Sequence, residues 1–268
     1  MRYKKSAASV IFDIVNVTVM ILFVFLCIFP FYYLIIYSLS DPRLSAAGIT
    51  WYPKGFTFSN YIKILTLDNI GRAAVMSLSR TVLGTGFMLI CSSFYAFLMT
   101  KQSMYFRKFY YRALVVTMYV SGGLIPTFLV YQAYGFYNSY FIYILTGMIN
   151  AYNVVLIKTF IEQLPPSLEE SAKLDGAGPF TVWARIIMPL SKPIIATVAV
   201  FGAVAEWNSW FDTHLYIPDS KLWTLQYVLY RYLSEAQELA RRVEQGREGQ
   251  EISRSQITPA AVRMTITS

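Results

Sequence analysis

Charged residues leave long gaps along this chain: none falls in residues 14–40, 81–100 or 113–157. A helix needs about 20 predominantly apolar residues to cross a hydrocarbon core. Each gap is therefore long enough for a crossing, and the last, at 45 residues, is too long for one. The aromatic, polar stretch Tyr131-Gln132-Ala133-Tyr134-Gly135-Phe136-Tyr137-Asn138-Ser139-Tyr140 divides it, because tyrosine is enriched where membrane meets water. A further apolar stretch from Pro193 to about Phe211 is interrupted only by Glu206. The pattern predicts five spanning helices, over residues 11 to 39, 73 to 100, 110 to 132, 139 to 162 and 190 to 212. From Ile257 to Ser268 the chain turns apolar again, with Pro259 where a helix could start, but these twelve residues cannot span. The fold class expected is all-α and polytopic: five spans plus the start of a sixth, in one transmembrane domain over residues 1 to 268.

Composition agrees, with 56% apolar and only 14% charged residues. The net charge of +8 suits anionic headgroups of a lipid bilayer and cytoplasmic loops, and nucleic acid is a poor partner for so apolar a chain. Cys27 and Cys91 sit inside apolar spans, where a thiol packs as a small hydrophobe. Arg2, Lys4 and Lys5 before the first span predict a cytoplasmic N-terminus. That places Lys101, Arg107, Lys108 and Arg112 in one cytoplasmic loop, and Lys158, Lys173, Arg185 and Lys192 around another. The first external loop also carries Arg43, Lys54, Lys63 and Arg72, so charge asymmetry by itself does not fix the orientation. A removable signal peptide is the rival reading of the N-terminus, with Ser45-Ala46-Ala47 as a weak cleavage-like site, but the uncharged run is longer than such peptides carry. Within the spans, Gly122-Gly123 with Pro126 predicts a kink or break, and Gly84 and Gly86 predict close helix packing.

The polar segment between the fourth and fifth spans carries the most information. Pro165-Pro166 stops the fourth span, and Ser167 with Glu170 three residues on has the form of a capping box. Glu169 and Lys173, four apart, can pair on the helix that follows, while Leu168, Ala172 and Gly176 share another face. Gly176 suits the left-handed residue that ends a helix, and Gly178-Pro179 starts the next. Two short helices at an angle, outside the bilayer, would make a rigid knob over about 165–189.

Glu170-Ser171-Ala172-Lys173-Leu174-Asp175-Gly176, followed by Ile186-Ile187-Met188-Pro189, resembles the E-A-A-x3-G-x9-I-x-L-P signature of the membrane subunits of binding-protein-dependent ABC importers. Ser171 replaces the second Ala and Met188 replaces Leu; both are small or volume-conserving changes. The resemblance implies an importer type I permease fold in a bacterial cytoplasmic membrane, and a knob that docks on a separate ATPase through Glu169, Glu170, Ala172, Asp175, Gly176 and Pro189. It implies two ATPase subunits, a second permease subunit, better a different chain than a copy, and an extracytoplasmic solute-binding protein. No cofactor is implied on this chain; ATP and Mg belong to the ATPase, and no G-x-x-x-x-G-K-[ST] loop occurs here. ATP binding would tilt the knob and turn the path outward, and hydrolysis would reset it. Members of that family usually close with a full sixth helix, so the resemblance implies a chain truncated or incompletely represented at its C-terminus.

The fifth span ends in Glu206-Trp207-Asn208-Ser209-Trp210-Phe211-Asp212. The resemblance extends here to the carbohydrate branch that handles complex oligosaccharides, with an acidic one such as an alginate fragment as the finest reading. Trp207 and Trp210 could stack on sugar rings or form an interfacial aromatic belt, and Glu206 and Asn208 could exchange hydrogen bonds with hydroxyls. Asn150 and Asn153 complete the candidate path, with interhelical hydrogen bonding, shared by Tyr152, the favoured reading. Residues 212–256 form a long outer loop with Leu222, Leu225, Val228, Leu229 and Tyr232 at helical spacing, and in the resembled family this loop faces the solute-binding protein. Tyr61, Ile62, Ile64 and Leu65 suggest a short helix on the outer surface. An ion-coupled secondary transporter or channel subunit is the alternative, disfavoured because the spans hold few paired ionisable residues. An enzyme is disfavoured because the lone His214 has no ligand-spaced partner.

Overall fold

A computed structural model of the chain describes residues 7–45, 48, 51–66 and 69–244, and every regular element among them is a helix. Arg2, Lys4, Lys5, Ala46, Ala47 and the apolar stretch Ile257 to Ser268 lie outside the described residues. The chain forms two compact units, one drawn from residues up to Ile70 and from Leu229 onward, the other Gly71–Val228.

In the first unit, α1 (Ala7–Ser38) is followed by α2 (Pro42–Ser45) and α3 (Ser59–Leu65). With no ladder partner and no water in a bilayer core, an uncharged run satisfies its backbone only by coiling on itself, and the 32 residues of α1 extend about 48 Å at about 1.5 Å per residue. Its end is tied off locally. The Asn60 side-chain amide donates to the carbonyls of Ser38 and Ser40, both at 2.9 Å, and Thr57 N–H donates to Leu39 O at 2.9 Å. These bonds serve carbonyls that a helix terminus leaves without partners. Phe25, Phe29, Tyr33 and Tyr37 form a ladder along α1, with Trp51 against Phe29 at 5.7 Å. The first span and the short helix near Tyr61 thus stand where the pattern put them.

The second unit starts with α4 (Ile70–Thr100), one turn longer than its predicted span. The next two predicted spans are not continuous helices. Residues 110–132 divide into α5 (Arg107–Val116) and α6 (Leu124–Ala133), and the break is the one that Gly122-Gly123 and Pro126 announced. Gly123, at φ +84°, holds a backbone that side-chain-bearing residues rarely adopt. Residues 139–162 divide into α7 (Ile142–Leu145) and α8 (Ala151–Ile161), because Asn150 caps α8: its side-chain oxygen accepts Asn153 N–H at 3.1 Å. A capping asparagine starts a helix where a continuous one was expected.

After α8 come α9 (Ser167–Leu174), α10 (Pro179–Val182), a π-helical turn Trp183–Ile187, α11 (Met188–Leu190) and α12 (Lys192–Asn208). Pro179–Leu190 and α12 meet at 85° across Ser191, so the fifth predicted span, 190 to 212, is not one continuous helix: α12 covers only 192–208 of it. Pro193 sits in the first turn of α12, where its missing N–H costs little. Among the described residues, Ser9–Ser38 and Ile70–Thr100 are long and apolar enough to cross alone, with the bent Pro179–Asn208 pair a third candidate. After α12 come α13 (Phe211–Tyr216), a 3₁₀ turn Ser220–Leu222 and α14 (Leu225–Glu244), whose residues from Leu229 belong to the first unit. The helix therefore starts three residues after the first leucine of the expected period, because Leu222 belongs to the 3₁₀ turn.

Two cores serve the second unit. One packs Met88, Phe97, Leu114, Val154, Ile157, Ala172, Trp183, Ile187 and Val198, joining α4, α8 and α12 to the segment between them. The other gathers Ile142, Tyr143, Tyr216 and Ile217, with Phe128 stacked on Tyr216 at 5.7 Å.

Candidate functional site

The segment α9 to α11 is built by its prolines and glycines. Pro165 O accepts Leu168 N–H at 3.2 Å, and Pro166 O accepts Glu169 and Glu170 N–H at 3.0 and 3.1 Å. Pro166 is the N-cap, Ser167 the first helical residue, and no side chain caps the helix. The expected capping box is therefore absent, because proline's fixed φ supplies the turn that the serine hydroxyl was to close. The other end follows expectation: Gly176 is left-handed at φ +80°, its N–H donates to Lys173 O at 3.0 Å, and Ala177 N–H donates to Ala172 O at 2.9 Å. That pair of bonds is a Schellman motif, and it fixes the turn into α10, whose first residue is Pro179.

Ala172 does not face outward. It is buried against the core that holds Leu114, Ile161 and Trp183, so its small side chain lets α9 approach this chain's own helices. This corrects the expectation that Ala172 is one of the residues presented to the ATPase. Trp183 edges onto Phe94 of α4 at 5.2 Å, which anchors the second short helix.

Glu169 pairs with Lys173 at 2.9 Å, as the spacing predicted, and also with Lys101, the residue after α4. Burial pulls the Glu169 carboxyl up, but hydrogen bonds from Lys101 and Lys173 and their charges overcome it and hold it below the usual value. Burial likewise pulls the Lys101 ammonium below its usual value against the attraction of Glu169; the carboxylate direction is the one that follows from two cations on one anion. Lys101 also lies 3.9 Å over the Phe97 ring. Glu169 thus ties α9 to the end of α4. Glu170, Asp175, Gly176 and Pro189 are exposed. So are two apolar residues that the sequence pattern did not single out: Leu174 is 89% exposed and Phe180 65%. An apolar residue off the buried face of so short and polar a helix was the signal available.

At the other end of α4, Arg80 is 3% exposed, and nothing in the sequence pattern marked it. Its Nε donates to Glu206 Oε2 at 2.8 Å, its Nη1 to Ser209 O at 3.3 Å and its Nη2 to Asp212 Oδ2, while the guanidinium lies 4.6 Å over the Tyr143 ring. Tyr143 hydroxyl bonds Thr213 Oγ1 and Leu222 O, each at 2.9 Å. Gly84 admits the Glu206 side chain: a Cβ there would stand 3.2 Å from Glu206 Cδ and from Tyr143 O. The packing role expected of Gly84 is met; Gly86 has nothing within 4 Å.

Beside this cluster lies a cavity of about 350 Å³ lined by Met88, Gly147, Asn150, Tyr152, Asn153, Phe201, Gly202, Ala205 and Glu206. Asn150, Asn153 and Glu206, three of the six expected path residues, meet here. Asn153 also donates to Met88 Sδ at 3.3 Å, an interhelical bond to α4. Trp207, Asn208 and Trp210 are not brought to this cavity: Asn208 donates to Val204 O at 2.9 Å in its own helix, and Trp210 packs on Phe211 and His214.

Comparison with known proteins decides the family. The profile of the binding-protein-dependent transport system inner membrane component matches residues 69–210. The chain belongs to this family. It is 38% identical to Protein LplC of Bacillus subtilis (strain 168) over 83% of this chain and 76% of that one. It is 34% identical to the polygalacturonan/rhamnogalacturonan transport system permease protein YtcP of the same organism, over 82% and 77%. Its fold matches the crystal structure of a bacterial ABC transporter involved in the import of the acidic polysaccharide alginate, with a TM-score of 0.85 at 24% identity over 98% of this chain and 92% of that one. As a member of this family the chain is a multi-pass inner-membrane permease component of a bacterial ABC importer of the carbohydrate type. It is non-catalytic, with ATP hydrolysed on a partner ATPase, and works with permease, ATPase and binding-protein partners.

Proposed function

We propose that this chain forms half of an oligosaccharide path and that α9 with Pro179–Leu190 is the elbow that docks on the ATPase, its N-terminus lying on the same cytoplasmic side. One observation carries this reading: α9 is locked at both ends and packed by Ala172 and Trp183 onto the membrane core, while Glu170, Leu174, Asp175, Gly176 and Phe180 point away from that core. A rigid piece that is fixed inward and bare outward can pass a push from a partner into α4 and α12. The second half of the path comes from a different permease chain, and the α13–α14 stretch faces the solute-binding protein.

The substrate is an oligosaccharide from a larger polysaccharide. A second reading, an acidic fragment such as one of alginate, is favoured by the relative whose name specifies polygalacturonan and rhamnogalacturonan. Purification of the intact complex tests the elbow. Wild type should co-isolate with an ATPase and show oligosaccharide-stimulated ATP hydrolysis in proteoliposomes, and Gly176→Glu should abolish that stimulation. ATP-independent uptake, or full stimulation in Gly176→Glu, would refute the reading.

A further inference from the structure

The two oxygens of the Glu206 carboxylate differ. Oε2 takes the Arg80 Nε–H, whereas Oε1 accepts no hydrogen bond among the described residues and stands 3.1 Å from where a Gly147 Cβ would be. Gly147 and Gly84 therefore clear space on two sides of one anchored carboxylate. Glu206 is the one charged side chain among the described residues lining the cavity. Arg80 does not line it: its guanidinium is occupied by Glu206, Asp212, Ser209 O and the Tyr143 face. One cation against two carboxylates leaves the cluster net negative.

Beside it, Asn150 commits its oxygen to Asn153 N–H and Asn153 commits one amide N–H to Met88, so both side-chain amides keep N–H donors and Asn153 keeps its oxygen as an acceptor. The cavity volume of about 350 Å³ falls within the range of small-ligand sites, roughly 300–1,000 Å³. The free Glu206 oxygen suits a hydroxyl, which can donate to it, and not a second carboxylate, which only accepts.

We propose that Glu206 is a sugar-contacting acceptor that selects neutral, hydroxyl-bearing rings over uronates, with Arg80 the positioning residue that aims it; this rests on the reading of the chain as half of an oligosaccharide path and weighs against the acidic fragment as its substrate. A ring hydroxyl donates to Oε1, and no bond is made or broken. A uronate brings a second anion to an anion that Arg80 only partly offsets, and like charges at contact distance repel.

The test is equilibrium binding of galactotriose and trigalacturonate to the purified importer complex in nanodiscs. Wild type should bind galactotriose more tightly, and Glu206→Gln, which can turn an amide donor to the cavity while still accepting from Arg80, should shift the preference about tenfold toward trigalacturonate. Equal loss of both sugars is what a merely structural role would produce, and would overturn the proposal, as would wild-type preference for the uronate or failure to bind galactotriose. Gly147→Ala covers the case in which Glu206→Gln does not assemble: it leaves every charge in place but shields Oε1. Galactotriose affinity should then fall several-fold, and an unchanged affinity would overturn the proposal. ATP-driven oligosaccharide uptake by the wild-type complex is measured separately, so failure of the selectivity claim leaves the importer reading standing.

Discussion

Replacing Arg80 with methionine tests how α4 is held to the end of α12 and to α13. The substitution keeps an unbranched apolar stem but removes the donors to Glu206, Asp212 and Ser209 O and the cation over Tyr143. Removing one member of a buried ion cluster costs about 3–5 kcal/mol, chiefly because the remaining charges are left without a partner. The Glu206 and Asp212 side chains keep 17% and 24% exposure, so water recovers part of the loss and the expected value is at the low end, about 3 kcal/mol. Arg80→Lys keeps the charge but cannot span two carboxylates with one ammonium, and should cost about 1.5 kcal/mol, the worth of one charged hydrogen bond. If orphaned carboxylates are the cause, Arg80→Met with Glu206→Gln and Asp212→Asn should regain all but about 1 kcal/mol. Denaturation of the purified complex in detergent, followed by circular dichroism, measures all three. A loss in Arg80→Met no greater than in Arg80→Lys, or no recovery in the triple variant, would refute the reasoning.

Other expectations follow from single contacts. Gly176→Ala meets no atom within 4 Å, so its cost is backbone strain alone, about 1–2 kcal/mol, visible in the same melt. Asn150→Ala removes the cap of α8 at about 1 kcal/mol, and Asn150→Asp should restore it. Glu169 has its folded-state value held below the ordinary 4.5. Its ion pairs therefore contribute at neutral pH, and that contribution is lost as pH falls below 4.5 and through the folded value. Stability measured against pH should show this extra acid-side loss in wild type and lack it in Glu169→Gln.

The elements encoded locally were legible in the sequence. The uncharged runs gave α1 and α4, Gly122-Gly123 gave the break before α6, and Gly176 with Gly178-Pro179 gave the turn between the two short helices. The signature residues from Glu170 to Gly176 and from Ile186 to Pro189 pointed to the family by their spacing alone. What stayed hidden depends on distant partners. Arg80 lies one residue before an uncharged run, inside the span predicted over 73 to 100, yet its partners are 126 and 132 residues away. Ala172 reads as a small residue on a flat face because nothing nearby in sequence shows that Trp183 and Leu114 cover it. The capping box failed for a local reason, since Pro166 outcompetes a serine for the same turn.

The claim that the α9 elbow meets the ATPase is tested most directly by cross-linking from Leu174, the most exposed apolar residue of that helix at 89%. A photoreactive amino acid placed there in the assembled importer should cross-link to an ATPase subunit, and should do so differently with and without ATP. Cross-links to lipid alone, to the solute-binding protein, or to no polypeptide at all would contradict the account.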